Sequence, residues 1–101
     1  MPIYVLSRAA DLDLDEIWEY IAQDNVDAAD RWIGKLFDAF DALALNPAMG
    51  HTRNDLTSYP VLFWPVDAYL IIYRVQRQSI EIVAVSQGAR DIPAFLHRRM
   101  S

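Results

Sequence analysis

The stretch Tyr69-Leu70-Ile71-Ile72-Tyr73-Arg74-Val75 is apolar on both of its alternating sets of side chains. A strand with this pattern is covered on both faces, so we expect it at the centre of a sheet. Two further strand-like runs, 61–64 and 80–86, flank it in the sequence. Turn-forming connections at 65–68 and 76–79 predict that the three runs form an antiparallel meander.

Two amphipathic helices are predicted upstream of the meander. The first begins after Ser7, a favourable N-cap, and ends near Gln23. The second covers about 28–45 and is stopped by Asn46-Pro47. The short break at 24–27 predicts an antiparallel helical hairpin. Gly34 lies inside the second helix, and either close approach of the first helix or a neutral accident explains it.

The remaining segments complete an α+β fold. A short strand is predicted at 2–6, an irregular loop at 47–60 and a short C-terminal helix at 91–99, weakened by Pro93. We expect the helical hairpin to pack on one face of an antiparallel sheet, with the first strand beside the meander. The whole chain, 1–101, is predicted to be a single domain.

Composition excludes several classes of protein. The chain has 101 residues, of which 53% are hydrophobic and none is cysteine. A disulfide framework, a thiol nucleophile and Cys-ligated zinc are therefore excluded. The absence of a long uncharged apolar run and of a signal peptide predicts a cytoplasmic domain that does not contact the membrane. The apolar fraction is more than a core this small hides, so we expect a partner to cover some of it.

Charge is divided unevenly along the chain. Residues 1–47 carry three basic and ten acidic side chains, a balance of about −7, whereas residues 48–101 carry six arginines and four acids, about +2. An acidic protein is a poor non-specific ligand of nucleic acid. Local arginines can still bind a carboxylate or a phosphate, and the alternative is that they are scattered solvated charges.

The order of the elements and several short motifs resemble the ParE/RelE superfamily of bacterial type II toxins, and the ParE branch more than the RelE branch. The resemblance covers almost the whole chain. It rests on Leu6-Ser7-x-x-Ala10, Asp13-Leu14-x-x-Ile17-x-x-Tyr20-Ile21, Ala28-Ala29, Leu43-x-x-Asn46-Pro47-x-x-Gly50-x-x-Arg53-x-Asp55-Leu56, 69–75 and Gly88-x-Arg90-Asp91.

This resemblance implies a cytoplasmic toxin that a ParD-like antitoxin binds and silences, without a cofactor. The ParE branch implies growth inhibition by binding DNA gyrase. A RelE-like ribosome-dependent mRNA endonuclease and an inactive antitoxin-binding remnant are the alternatives, and a homodimer would cover the same apolar surface. RelE-like ribonucleases usually carry an acid or base near the end of the last strand, where this chain has Ser86 and Gln87. We therefore expect no catalysis, and no specific DNA binding without the antitoxin.

The candidate contact residues for the target or the antitoxin are arginines. Each has a structural alternative: Arg53 can pair with Asp55, and the last two arginines can form a solvated end. His51 and His97 are expected to be solvated, and no metal site is expected because neither has a neighbouring ligand set. The candidates are Arg53, Arg74, Arg77, Arg90, Arg98 and Arg99.

Overall fold

The structure is a computed structural model that describes residues 3–100, with a four-stranded sheet at its centre. The strands are β1 (Tyr4–Leu6), β2 (Leu62–Val66), β3 (Tyr69–Val75) and β4 (Ile80–Gln87), in the spatial order β1-β4-β3-β2. The predicted meander is confirmed, since β3 pairs antiparallel with both β2 and β4. The interior position of β3 explains why its side chains are apolar on both faces.

The sheet is mixed, which corrects the prediction of an antiparallel sheet. β1 lies beside the meander, as expected, at the edge next to β4, but these two strands are parallel, with Val5 opposite Glu81. The residue after β1 fixes this direction: the Ser7 N–H donates to the Ile82 carbonyl at 3.1 Å, and its hydroxyl donates to the Val83 carbonyl at 3.2 Å. Pro2, the first residue of the predicted strand, lies outside the described residues.

The helical hairpin is present as predicted. Helix α1 (Arg8–Ala22) is capped by the Ser7 hydroxyl, and helix α2 (Val26–Leu45) is capped by the Asn25 side chain, which accepts from the Ala28 N–H. α2 begins two residues earlier than predicted because Asn25 is the cap. The Trp18 indole N–H donates to Asp30 at 2.8 Å and joins the two helices near their connection.

The connection between β2 and β3 is shorter than predicted. Pro65 and Val66 belong to β2, which leaves Asp67 and Ala68 as a two-residue turn. Proline is tolerated there because β2 is an edge strand, and in the described part of the chain no strand pairs with its outer side at Pro65. Asp67 has a φ of 53°, the left-handed conformation that aspartate adopts more readily than most residues.

Both faces of the sheet are covered, by different elements. The helical hairpin covers one face with a core that includes Leu36, Phe40 and Tyr73. The C-terminal helix α3 (Ile92–Met100) and the loop before β2 cover the other face, where Phe95 and Leu96 pack on the sheet. α3 is nearly the predicted segment, and its Pro93 lies in the first turn, where proline is compatible with a helix.

Two glycines have different structural roles. A Cβ at Gly34 would have no atom within 4 Å beyond its own helix, so close approach of α1 does not explain this glycine. A Cβ at Gly50 would lie 2.7 Å from Tyr73 Cε1. The buried Tyr73 hydroxyl accepts from the Gly50 N–H at 2.9 Å and donates to the Pro47 carbonyl at 2.7 Å. The predicted irregular loop is thus fastened to the central strand at its first residues.

Candidate binding surfaces

Arg74 and Arg99 are brought together by the fold. They line one shallow groove on the α3 side of the sheet, between α3, β4 and the start of α1. Arg74 extends from β3 and its Nε donates to Glu81 on the neighbouring strand at 2.5 Å. The Arg74 guanidinium is therefore held by a carboxylate.

Arg99 is part of the internal structure of the protein and is not a frayed end. Its two terminal nitrogens donate to the Asp13 carboxylate at 3.1 Å, and Nη1 also donates to the Val83 carbonyl. The Arg99 side chain is 21% exposed and that of Asp13 is 12% exposed. The Arg99 guanidinium carbon also lies 4.6 Å from the centre of the Phe95 ring. This arginine orients α3 against α1 and β4.

Arg53 and Arg90 lie apart from that groove. Arg53 makes the predicted pair with Asp55 on the exposed loop, and the structure shows that the pair is bidentate, at 2.9 and 2.8 Å. This pairing raises the pKa of Arg53 and lowers the pKa of Asp55, in both cases chiefly through the hydrogen bond between their side chains. The Arg90 guanidinium packs on the Phe95 ring at 4.6 Å, and an ion pair with Asp91 is not found among residues 3–100.

Arg77 and Arg98 are the two candidates that are exposed and whose side chains make no ion pair, hydrogen bond or ring contact within the described part of the chain. Arg77 lies in the turn between β3 and β4, and Arg98 lies in the last turn of α3. Their guanidinium groups are therefore free for an external ligand. Of the six predicted arginines, Arg74 and Arg99 share a groove, and Arg90 and Arg99 both pack on the Phe95 ring.

A second cleft lies between α1 and the end of β4. Sequence reasoning missed Glu16, Tyr20 and Tyr69, which line it with Gln87 and Arg90. Burial, and secondarily the proximity of Tyr20, raises the pKa of Tyr69. Tyr20 is 66% exposed, and a large aromatic side chain on the exposed side of a helix is a sign in the sequence of a binding surface. Helical periodicity does not show which strand lies opposite Tyr20, so the cleft itself could not be predicted.

The end of β4 contains no titratable side chain. Ser86 is buried and its hydroxyl donates to the Gln87 carbonyl, while the Gln87 side chain is an uncharged amide. The nearby Asp13 is already paired with Arg99, and Glu16 balances the charge of Arg90 across the cleft. The charged residues that line this cleft are thus Asp13, Glu16 and Arg90.

His51 has a structural position at the edge of the sheet. Its backbone forms a two-hydrogen-bond bridge with Phe63, at 2.9 and 2.7 Å, and its ring stacks beside Trp64 with 6.4 Å between centroids. Within residues 3–100, no group of three or more His, Cys, Asp or Glu side chains is placed to hold a metal ion. No helix in the described part of the chain is long and apolar enough to cross a membrane.

Large apolar side chains remain exposed on several elements. Val5 on β1 and Val75 at the end of β3 are about half exposed, and Tyr20 on α1 is more so. Single exposed apolar residues are ordinary, but edge strands that also expose them are surfaces where another chain can bind. Among residues 3–100, the exposed large apolar side chains are Ile3, Val5, Leu12, Tyr20, Val26, Leu45 and Val75.

Comparison with known proteins places this fold in a family. Residues 4–92 match the family described as ParE toxin of type II toxin–antitoxin system, parDE. The chain belongs to the ParE toxin family. It is 30% identical to toxin ParE1 of Mycobacterium tuberculosis over 99 residues, which is 96% of this chain and 90% of that protein. The ParE-type sequence is also 35% identical over 83 residues to Y4kP of Sinorhizobium fredii, covering 82% of this chain and 84% of Y4kP.

The ParE-type fold is also found in a solved structure. A chain from the chromosomal ParDE TA system of P. aeruginosa superposes with a TM-score of 0.71 at 20% sequence identity, covering 86% of this chain and 96% of that one. The predicted α+β architecture is thereby confirmed, with the correction that β1 is parallel to β4. The protein is a ParE-type toxin of a type II toxin–antitoxin system.

Proposed function

We propose that this ParE-type toxin arrests growth in the cytoplasm by binding DNA gyrase and interrupting its supercoiling cycle, and that a ParD-like antitoxin neutralises it. The observation that carries the proposal is membership of the ParE family over residues 4–92. Membership of the ParE family identifies the chain as a toxin of a type II toxin–antitoxin system. Gyrase is proposed as its target because the sequence resembles the ParE branch of the superfamily.

The toxin acts by binding and not by turnover. Cleavage of RNA through a 2′-hydroxyl needs a base, an acid and cations at the phosphate. Ser86 and Gln87 stand at the strand end where RelE-like ribonucleases carry such a group, and neither titrates near neutral pH. Glu16 lies in the same cleft as Arg90 and opposes phosphate binding there. These features support a protein-binding inhibitor over the endonuclease alternative.

The contact region for gyrase lies in the arginine-bearing second half of the chain. Arg77 and Arg98 carry exposed guanidinium groups without an acceptor among the described residues. Arg74 is partly exposed and its guanidinium contacts Glu81, whereas Arg90 is exposed and its guanidinium contacts the Phe95 ring. Such groups bind acidic protein surfaces or DNA phosphates held by gyrase. Arg99 supports this region from within, because Asp13 already occupies its terminal nitrogens.

The antitoxin covers exposed apolar surface and meets arginines with acidic side chains. Val5, Tyr20 and Val75 are among the large apolar side chains left exposed by the toxin alone. A carboxylate-bearing antitoxin segment complements the second half of the chain, where arginine supplies every positive charge. Self-association into a homodimer covers the same surface and is the competing outcome. DNA binding is assigned to the antitoxin, because the toxin is acidic overall.

Induced expression in cells, with growth, filamentation and the DNA-damage response recorded together, tests the proposal. Gyrase inhibition predicts growth arrest with filamentation and a DNA-damage response, and Arg77→Ala with Arg98→Ala should weaken all three. Primer extension on ribosome-bound mRNA is the matched control. Toxin-dependent cuts that disappear in Arg74→Ala would establish the RelE-like alternative, whereas normal growth with folded toxin present would leave the inactive remnant.

A further inference from the structure

One stretch of the sheet is left open on the face that α3 covers. Val5 pairs with Glu81, and Glu81 pairs with Arg74, so these three side chains form one rung across β1, β4 and β3. α3 packs farther along the sheet and ends near this rung with Met100. Val5 remains 47% exposed and the Arg74 side chain 43% exposed. This rung borders the shallow groove that we call the Arg74 groove, which is lined by Ser7, Ala9, Arg74, Glu81, Val83, Arg99 and Met100, with Val5 beside it on β1.

The Arg74 guanidinium is positioned for a second acceptor. Its Nε donates to Glu81, and neither terminal nitrogen has an acceptor among residues 3–100. The two terminal nitrogens form the planar fork that binds both oxygens of a carboxylate. Because Glu81 already restricts the side chain, less rotamer freedom is lost when a ligand binds to the fork than for a free arginine.

The charge around the groove is positive although the whole protein is negative, with a formal net charge of −5. Two of the residues that line the groove are arginines, Arg74 and Arg99, and one, Glu81, is acidic. Glu81 pairs with Arg74, and Asp13, which pairs with Arg99, lies outside the lining. The lining therefore carries a formal charge of about +1, which favours an acidic ligand.

We propose that the Arg74 groove binds a segment of the antitoxin that presents a carboxylate to Arg74 and an adjacent apolar side chain to Val5 and Met100. This assignment rests on the proposed function, since it takes the antitoxin as the occupant. The groove combines a charged fork with neighbouring apolar surface, and an acidic residue next to an apolar one satisfies both. Gyrase, with its own acidic surfaces, is the competing occupant.

The test is the dissociation constant between the purified toxin and the protein encoded by the adjacent reading frame, measured by calorimetry at about 0.15 M salt. Arg74→Gln should weaken binding about tenfold or more, because a charge-assisted bidentate contact is lost. Arg74→Lys should recover little, since a single ammonium does not reproduce the fork. Arg31→Gln is the matched control, an exposed arginine on α2, which covers the opposite face of the sheet, and should change the constant less than about twofold.

A second variant, at Val5, keeps the proposal testable if the Arg74→Gln protein does not fold. Val5→Gln changes a half-exposed edge-strand residue, where a polar side chain is tolerated, and removes the apolar contact without placing a second carboxylate opposite Glu81. It should also weaken antitoxin binding while the melting temperature stays near the wild-type value. Wild-type affinity in both folded variants would overturn the assignment. So would Arg74→Gln that binds the antitoxin normally but no longer inhibits gyrase. No binding by the wild-type toxin would instead contradict the proposed antitoxin partnership.

Discussion

Beyond the end of β1, backbone groups of β4 bond to side chains instead of to a neighbouring strand. Removing the Asp13 carboxylate tests how much these bonds stabilise the fold. β1 pairs only with the first residues of β4, up to Ile82. Beyond β1, the Val85 N–H donates to Asp13 at 3.1 Å, and the Val83 carbonyl accepts from Arg99 at 3.1 Å. The Asp13–Arg99 pair therefore takes the place of the missing strand.

The expected cost of Asp13→Ala combines two effects. Leaving a buried backbone donor such as the Val85 N–H without an acceptor costs about 1–3 kcal/mol. Breaking an ion pair costs up to about 1 kcal/mol at the surface and about 3–5 kcal/mol in the interior. With side chains 12% and 21% exposed, this pair lies between those limits. We expect the free energy of unfolding to fall by about 3 kcal/mol and the melting temperature by roughly 15 °C.

Urea unfolding followed by tryptophan fluorescence measures the change, in a cycle of Asp13→Ala, Arg99→Met and the double variant. Arg99→Met keeps an apolar stem on Phe95, so the coupling free energy, expected at about 1–2 kcal/mol, reports mainly the ion pair. Asp55→Ala, which breaks the exposed pair with Arg53, should shift the unfolding midpoint far less. A loss below about 1 kcal/mol for Asp13→Ala, or a coupling within the error of additivity at about 0.3 kcal/mol, would refute the reasoning.

Three further predictions concern other parts of the fold. Tyr73→Phe should lower the free energy of unfolding by about 1–3 kcal/mol in urea melts at neutral pH, because Gly50 and Pro47 lose their partner; an unchanged midpoint contradicts it. Burial raises the pKa of Tyr73 above 10.0, so its stabilising effect is complete below about pH 10 and lost as the pH rises through the folded-state pKa. Tyr73→Phe should therefore flatten the alkaline decline in melting temperature and leave the acid side unchanged. Gly50→Ala should lower the free energy of unfolding because its Cβ clashes with the Tyr73 ring, whereas Gly34→Ala should raise it by about 0.5–1 kcal/mol. In thermal melts, a Gly50→Ala protein more stable than Gly34→Ala would show that the contacts described at these two glycines are wrong.

Local patterns in the sequence predicted most of the elements. The cap at Ser7, the apolar stripes of the two helices and the doubly apolar run of β3 are each determined by neighbouring residues. The direction of β1 could not be predicted this way. Three strand residues carry no pattern that distinguishes a parallel from an antiparallel partner, and the contacts that fix β1 reach from Ser7 to Ile82 and Val83.

The candidate site was predicted less completely than the fold. The pairing of Arg53 with Asp55 was predictable because the two residues are close in sequence. The pairing of Arg99 with Asp13 was not, since it joins the last turn of α3 to α1 and depends on how both pack against the sheet. The cleft that Tyr20 and Tyr69 share depends on the same tertiary packing. Arginine type and exposure alone could not separate the structural from the available guanidinium groups.

A titration of DNA gyrase supercoiling with purified, antitoxin-free toxin tests most directly the claim that the protein inhibits by binding. At a fixed gyrase concentration above the dissociation constant, inhibition should rise with added toxin and saturate at a constant molar ratio. Adding the antitoxin should then restore supercoiling. Full supercoiling activity, with no trapped cleavage complex, at a large molar excess of folded toxin would contradict the account.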